Sequence, residues 1–308
     1  LSLAPARPVR AVRPGACLGL VAPAGPAEFD QAAAHAWAGA HGYRLKIFAG
    51  ATQKQGYLAG DDAVRLADLH GAFLDPEVAA ILCVRGGYGS PRLLDKIDYG
   101  LIRRHPKPFV GYSDLTALHQ ALWLETGLVG FHGPMLRPDL LTPRLAPTQT
   151  LFLRMLRGEL GTGSVIAHPL DWPLATLRGG MAEGRLVGGN LTMIGASLGT
   201  PWAIDTRHAV LFIEDVNEPL FRIDRTLNQL RLAGKFDGLR AVLLGDVAKV
   251  ELEPLFALVQ ETFSPLGIPV LAGWRSGHCD PNLTLPLGAL VVLDADRQTL
   301  TLAQDITS

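Results

Sequence analysis

Residues 109–122 read Phe-Val-Gly-Tyr-Ser-Asp-Leu-Thr-Ala-Leu-His-Gln-Ala-Leu. A short apolar strand, Pro108–Val110, ends at Gly111, and Leu115, Leu118 and Leu122 then fall on one face of a helix. Ser113 is thereby set on the turn between them, at the carboxyl end of a strand, where open α/β sheets place their sites. A serine presented on such a turn has helix N-terminal amides beside it. This is the geometry of a nucleophile elbow, although the second glycine of G-x-S-x-G is missing. The plainer reading is that Ser113 or Asp114 caps the helix, and the two readings are compatible.

Upstream, the same alternation repeats. Cys17–Val21 and Val78–Val84 are apolar runs without a polar face, and Asp30–His41 and Asp61–Ala72 have helical character. Buried strands alternating with helices predict a mainly parallel sheet covered on both sides. Downstream of Gly127 the composition changes, and residues 133–180 are rich in Pro, Thr and Gly. Strands then follow near Met181–Leu186, Ala209–Ile213, Ala241–Leu244 and Ile268–Leu271, with helices at Asn190–Leu198 and Arg222–Ala233. The expected organisation is an α/β protein: an N-terminal α/β domain over 1–165, a linker over 166–180 and a mixed α/β domain over 181–308.

Composition removes several classes of function. In 308 residues, 48% are hydrophobic and 19% charged, which excludes a disordered chain. Lys plus Arg is 28 and Asp plus Glu 29, so no general field attracts nucleic acid or anionic lipid. Three cysteines without a CxxC support neither a disulfide framework nor a thiolate zinc site. The opening LSLAPARPVRAVRPG lacks an apolar core of 7–15 residues, and the uncharged window 186–204 is broken by polar residues, glycines and Pro201. The expectation is a cytoplasmic protein with no membrane span.

Three further segments could carry chemistry. Arg85-Gly86-Gly87-Tyr88-Gly89 follows an apolar strand, and its paired glycines let backbone N–H groups approach a developing anion; a structural turn and a phosphate-binding loop are the alternatives, the latter without G-x-G-x-x-G or Walker spacing. His208–Asp215 is a strand finishing in Glu214 and Asp215, either of which could orient a histidine or meet a cation; a plain acidic loop is the commoner explanation of such a pair. In Gly273–Asp280, His278 follows Gly277 outside any apolar stripe, which makes it the better general-base candidate, with His132 as rival. A glycosidase pair drawn from Asp114, Glu214 and Asp215 lacks a cluster of sugar-stacking aromatics. A metal site from Glu214, Asp215, His278 and Asp280 has no supporting spacing. Cys279, beside His278, is poorly placed as a thiol nucleophile.

Taken together, the motifs resemble those of the LD-carboxypeptidase family, serine peptidase family S66, which includes muropeptide tetrapeptide carboxypeptidases and microcin self-immunity proteins. The similarity runs through 14–23, RGGYGSPRLLDKIDY at 85–99, KPFVGYSDLTALHQAL at 107–122, GFHGPM at 130–135, GGNLTMIGASLGTP at 188–201, FIEDVNEPLFRIDRTLNQL at 212–230 and Gly277-His278. The resemblance implies Ser113 as nucleophile, His278 as general base and Glu214 as the residue orienting it, with backbone N–H groups of Gly87 and Asp114 as oxyanion donors. It also implies a C-terminal domain with a small β-barrel-like sheet, a homodimer, a small peptide or muropeptide substrate, and neither cofactor nor metal. Two activities follow from it: release of terminal D-alanine from cytoplasmic muropeptide tetrapeptides, or cleavage of a peptidyl- or aminoacyl-nucleotide amide in self-immunity. A non-catalytic binding protein on the same fold is the remaining alternative.

Overall fold

The computed structural model describes residues 6–308, so the first five residues of the opening stretch read for a leader lie outside the described residues. Strands β1 (Cys17–Val21), β2 (Arg44–Ile47), β3 (Val78–Cys83), β4 (Phe109–Gly111) and β5 (Gly130–His132) pair in the order β5-β4-β3-β1-β2, all parallel. Helices α1 (Gln31–Ala40), α2 (Asp62–Leu74), α3 (Tyr99–Arg104) and α4 (Thr116–Thr126) form the crossovers. Asp30 opens α1 by accepting from the N–H groups of Ala32 and Ala33, and Asp61 opens α2 by accepting from Val64. Each cap satisfies donors that a helix start leaves unpaired. β1 and β4 are buried at every residue, which is why they read as apolar runs rather than alternating ones.

After α5 (Ala146–Leu156) come β6 (Ala175–Arg178), β7 (Met181–Asn190), α6 (Leu191–Ala196), β8 (Ala209–Val216), α7 (Leu220–Leu232), β9 (Ala241–Ala248), α8 (Leu252–Phe263) and β10 (Val270–Ala272). Then follow β11 (Leu285–Leu287), β12 (Leu290–Asp294) and β13 (Thr299–Leu302). The second sheet has the order β13-β12-β7-β8-β9-β10-β6, parallel from β7 to β10 and antiparallel at both margins. It curls. Thr176 on the β6 edge donates to the Ala295 carbonyl at 2.6 Å, and Ala295 N–H donates to Gly180 at 2.9 Å, so one margin meets the β12–β13 turn of the other. The segment 166–180, expected as a linker, therefore contains a hydrogen-bonded strand of this half-barrel.

The two sheets share material. β11 leaves the C-terminal half and pairs antiparallel with β5 as the outer strand of the first sheet. One apolar core contains Leu20, Val110 and Phe131 from the first sheet, Phe212 and Val291 from the second, and Trp274 between them. Burial of each such aromatic side chain is worth about 1.5–3 kcal/mol, so this shared core fixes the two sheets against each other. A second cluster lies between β7–β10 and helices α6–α8. No helix among the described residues is long and apolar enough to cross a membrane.

Candidate active site

Ser113 stands immediately beyond β4 with φ +66°, a left-handed conformation that residues with a Cβ seldom adopt. It opens a single 3₁₀ turn, Ser113–Leu115, that runs into α4. Neither Ser113 nor Asp114 caps that helix with its side chain. Asp114 does something else: its Oδ2 accepts from the Ser90 N–H at 2.8 Å, while Ser90 Oγ donates to the Asp114 carbonyl at 2.7 Å. Both residues are buried, so these bonds clamp the Ser113 turn to the glycine loop 85–89. Arg65 holds the far end of that loop, donating to the carbonyls of Pro23 at 2.6 Å and Gly89 at 2.8 Å.

The two loops touch closely enough to require glycine at 86. A Cβ there would lie 2.9 Å from Ser113 Cβ and 3.3 Å from Asp114 N. Gly87, with φ +103°, turns the next peptide. The backbone N–H groups of Gly87 and Asp114 have no acceptor among the described residues. Two free donors on adjoining loops beside a serine can meet the oxygen of a tetrahedral intermediate.

β8 carries Glu214 and Asp215 at a point where its pairing with β9 is irregular, between Ile213 and Asp215, and the two carboxylates take different partners. Asp215 is consumed by structure, accepting from Asn190 Nδ2 at 2.9 Å and from the Thr192 N–H at 2.9 Å, at the start of α6. Glu214 is fully buried. Its Oε2 is 2.7 Å from His278 Nδ1, and His278 Nε2 is 3.1 Å from Ser113 Oγ. Gly277 makes the approach possible: φ is +109°, and a Cβ there would sit 2.5 Å from Glu214 Oε2. The Gly277 N–H is in turn fixed by Asn282 Oδ1 at 3.0 Å.

Burial favours the neutral form of both partners. At Glu214 burial prevails over the opposing His278 hydrogen bond and raises the carboxyl. At His278 burial, which lowers the imidazole, is outweighed by the Glu214 hydrogen bond and charge, with Asp215 and Asp139 adding to it. The imidazole is therefore held above the ordinary histidine value. Asp139 is a buried carboxyl that the sequence did not single out. Burial pushes it up to about 6, against the Met135 N–H and Arg144, which pull it down.

The rival candidates are placed elsewhere. His132 is fully buried and packs edge-on to Phe212, with ring centroids 5.0 Å apart; burial drives its pKa far below the usual histidine value. It hydrogen-bonds neither a carboxylate nor Ser113. Cys279 Sγ faces the Pro281 carbonyl at 3.1 Å, and burial raises its thiol. Asp280 accepts from the Leu145 N–H at 2.9 Å, and among the described residues no three His, Cys, Asp or Glu side chains are grouped as a metal site would need. Ser113 and His278 both open onto a cleft of about 600 Å³, walled by segments 26–28, 52–54, 85–87 and 135–138 and by Tyr112. Tyr112 packs edge-on against the His278 ring with centroids 5.0 Å apart.

The model of the LD-carboxypeptidase N-terminal domain matches residues 18–133, and that of the LD-carboxypeptidase C-terminal domain matches residues 183–293. The chain is 40% identical over 297 residues to the probable murein peptide carboxypeptidase of Bacillus subtilis, covering 94% of this chain and 92% of that one. It is similar to the crystal structure of an MccF-like protein from Bacillus anthracis, with TM-score 0.89, 25% identity and coverage of 97% and 100%. It is also similar to that of a muramoyltetrapeptide carboxypeptidase from Oxalobacter formigenes, with TM-score 0.79, 30% identity and coverage of 93% and 97%. With both halves matched and a serine, a histidine and a glutamate hydrogen-bonded in series at the cleft between them, the chain belongs to the LD-carboxypeptidase family.

Proposed function

We propose that this protein is a serine carboxypeptidase that hydrolyses the amide between an L-configured centre and a terminal D-alanine in muropeptide tetrapeptides. The observation that carries the reading is the Ser113–His278–Glu214 chain of hydrogen bonds opening onto the cleft. His278 takes the Ser113 hydroxyl proton as Oγ attacks the scissile carbonyl, and the carbonyl electron pair moves onto oxygen. The N–H groups of Gly87 and Asp114 receive that oxyanion, each such donor being worth roughly 3 kcal/mol. Collapse expels D-alanine, whose nitrogen takes the proton from His278, and leaves an acyl-serine. Water, deprotonated by the same imidazole, then releases the tripeptide and restores Ser113. Glu214 accepts from Nδ1–H, which fixes the tautomer, and stabilises the imidazolium as it forms.

The higher identity to the murein enzyme supports this substrate class. So does the cleft wall, in which Tyr112 is the one phenyl or indole ring among the described lining residues and is packed against His278. A nucleotide amide would gain from an exposed aromatic face on which to stack its base. The test is mass spectrometry of tripeptide, tetrapeptide and pentapeptide stems, each ending in D-Ala or L-Ala, beside an aminoacyl-nucleotide amide. Loss of one residue from the D-Ala tetrapeptide is expected, with little from the L-Ala form. Preferential cleavage of the nucleotide amide transfers the protein to the self-immunity activity.

A further inference from the structure

Among the described residues ten of the 28 Lys and Arg side chains are ion-paired with a carboxylate, Lys46, Arg92, Arg207 and Arg275 among them. Of the cleft cations Lys54, Arg85 and Arg137, the two arginines are held in place by hydrogen bonds. Arg85 Nη1 donates to the Pro26 carbonyl at 3.3 Å, and Arg137 Nε donates to the Glu28 carbonyl at 3.1 Å. Both guanidinium groups are thus anchored two residues apart on one loop, by neutral main-chain oxygens. Arg137 is further steadied by Thr142 Oγ1 at 3.2 Å. Among the described residues neither forms an ion pair, although Glu28 is part of the same cleft wall. Their charges are positioned but not compensated.

Arg137 shares the cleft wall with Ser113, and the place of Arg85 relative to Ser113 follows from covalent geometry. Arg85 adjoins Gly86, whose Cβ position is 3.1 Å from Ser113 Oγ, and Arg85 Nε lies 3.7 Å from the Cβ position of Gly87. In a peptide the carbonyl carbon under attack and the next carboxylate carbon are separated by three bonds of about 1.3–1.5 Å, so the terminal carboxylate must lie within roughly 5 Å of the attacked carbon. An exopeptidase has to recognise that carboxylate, and a planar guanidinium with several N–H donors matches it in geometry and charge.

We propose that Arg85 and Arg137 bind the free carboxylate of the leaving residue and so restrict the cleft to substrates with an unblocked C-terminus. The inference rests on the carboxypeptidase reading above and names the group that selects the chain end. Arg85 adjoins the oxyanion loop and would make the closer contact, with Arg137 supplying the second charge. Attack on an internal amide would leave both arginines facing an uncharged peptide.

The test compares two substrates that differ only at the terminus: the D-Ala tetrapeptide as free acid and as its C-terminal amide. Wild-type protein is expected to favour the acid by about 10- to 100-fold in kcat/KM, the range of a lost charge-assisted hydrogen bond. Arg85→Met and Arg137→Met should each lower kcat/KM for the acid, chiefly through KM, and leave the amide within about threefold, the combined effect bounded by the same range. Arg85→Lys should restore part of the preference. A wild type that cleaves acid and amide equally overturns the inference while leaving the carboxypeptidase reading in place. Equal losses on both substrates in the methionine variants also overturn it, because the arginines would then serve the loop rather than the ligand. Silence of the wild type on both peptides overturns the carboxypeptidase reading itself.

Discussion

The serine side of the cleft and the histidine side are built in opposite ways. Ser113 is set by a few contiguous residues: a strand that ends, a single left-handed residue and a helix that begins. Glu214 and His278 lie 64 positions apart and meet only because β8 and the loop after β10 belong to one curled sheet. The first arrangement stores its precision in backbone conformation, at a cost of about 1–3 kcal/mol for such a φ. The second depends on packing: Gly277 gives up its Cβ so that a buried carboxylate can lie against its backbone. Local geometry should thus tolerate distant change, whereas the acid–base pair should be sensitive to anything that moves its sheet.

The largest effect expected is on the serine side. Ser113→Ala should reduce turnover of the D-Ala tetrapeptide by about 10³-fold or more with the melting temperature retained, since nucleophile loss removes the covalent route. Near-wild-type turnover by a folded Ser113→Ala protein would take the nucleophile role away from this residue.

Next is Gly277→Ala on the histidine side. The added Cβ has a positive φ to adopt and a carboxylate oxygen in its way, so kcat should fall by about 10²-fold and stability by about 1–3 kcal/mol. Steady-state kinetics beside thermal melts would read both. A variant matching wild type in kcat would show that the packing side is as tolerant as the local one.

A smaller change is expected at the clamp between the Ser113 turn and the glycine loop. Asp114→Ala leaves the buried Ser90 N–H without an acceptor, which costs about 1–3 kcal/mol, and should lower kcat by about tenfold through a loosened loop. Asp114→Asn keeps an acceptor oxygen and should recover most of the rate. Equal losses in the two variants would mean that the charge, and not the hydrogen bond, matters.

The smallest effect concerns protonation. His278 must be neutral to accept the serine proton, and its pKa is raised, so kcat/KM should rise with pH and reach half-height above the ordinary histidine value. Asp139 adds negative charge near this imidazole, so Asp139→Asn should move the acidic limb downward by less than about one unit. An acidic limb unmoved by that variant would remove Asp139 from the electrostatics of the pair, and a flat limb would exclude His278 as base.

What the sequence revealed follows the same division. β1, β3, β4 and the start of α4 were legible because buried parallel strands are apolar runs and the Ser113 turn is contiguous. β5 and β6 were not read: Gly130-Phe131-His132 is no apolar run, Ala175–Arg178 lies in a stretch rich in Pro, Thr and Gly, and both are specified by their partners. α8 was missed although Leu252, Leu255, Val259 and Phe263 follow helical spacing; Pro254 in its first turn disguised a start that tolerates proline. At the site, Glu214 could not be separated from Asp215 on local grounds, because both are buried and only tertiary contacts decide which one meets His278. The clamp formed by Asp114 and Ser90, the support from Arg65 and the buried Asp139 all arise from tertiary contacts between segments whose own sequence is unremarked.

β11 has a consequence for how the chain comes into being. Leu285 pairs with His132, more than 150 positions earlier. On a ribosome the five parallel strands would emerge complete in sequence while β5, with Phe131 destined for full burial, still showed a bare edge to its surroundings. Unpaired strand edges are templates for association with other chains, and contacts of long sequence separation form late. A nascent chain stopped before Leu285 would therefore be the form most dependent on chaperones, and truncations placed there should yield aggregates rather than a free-standing half.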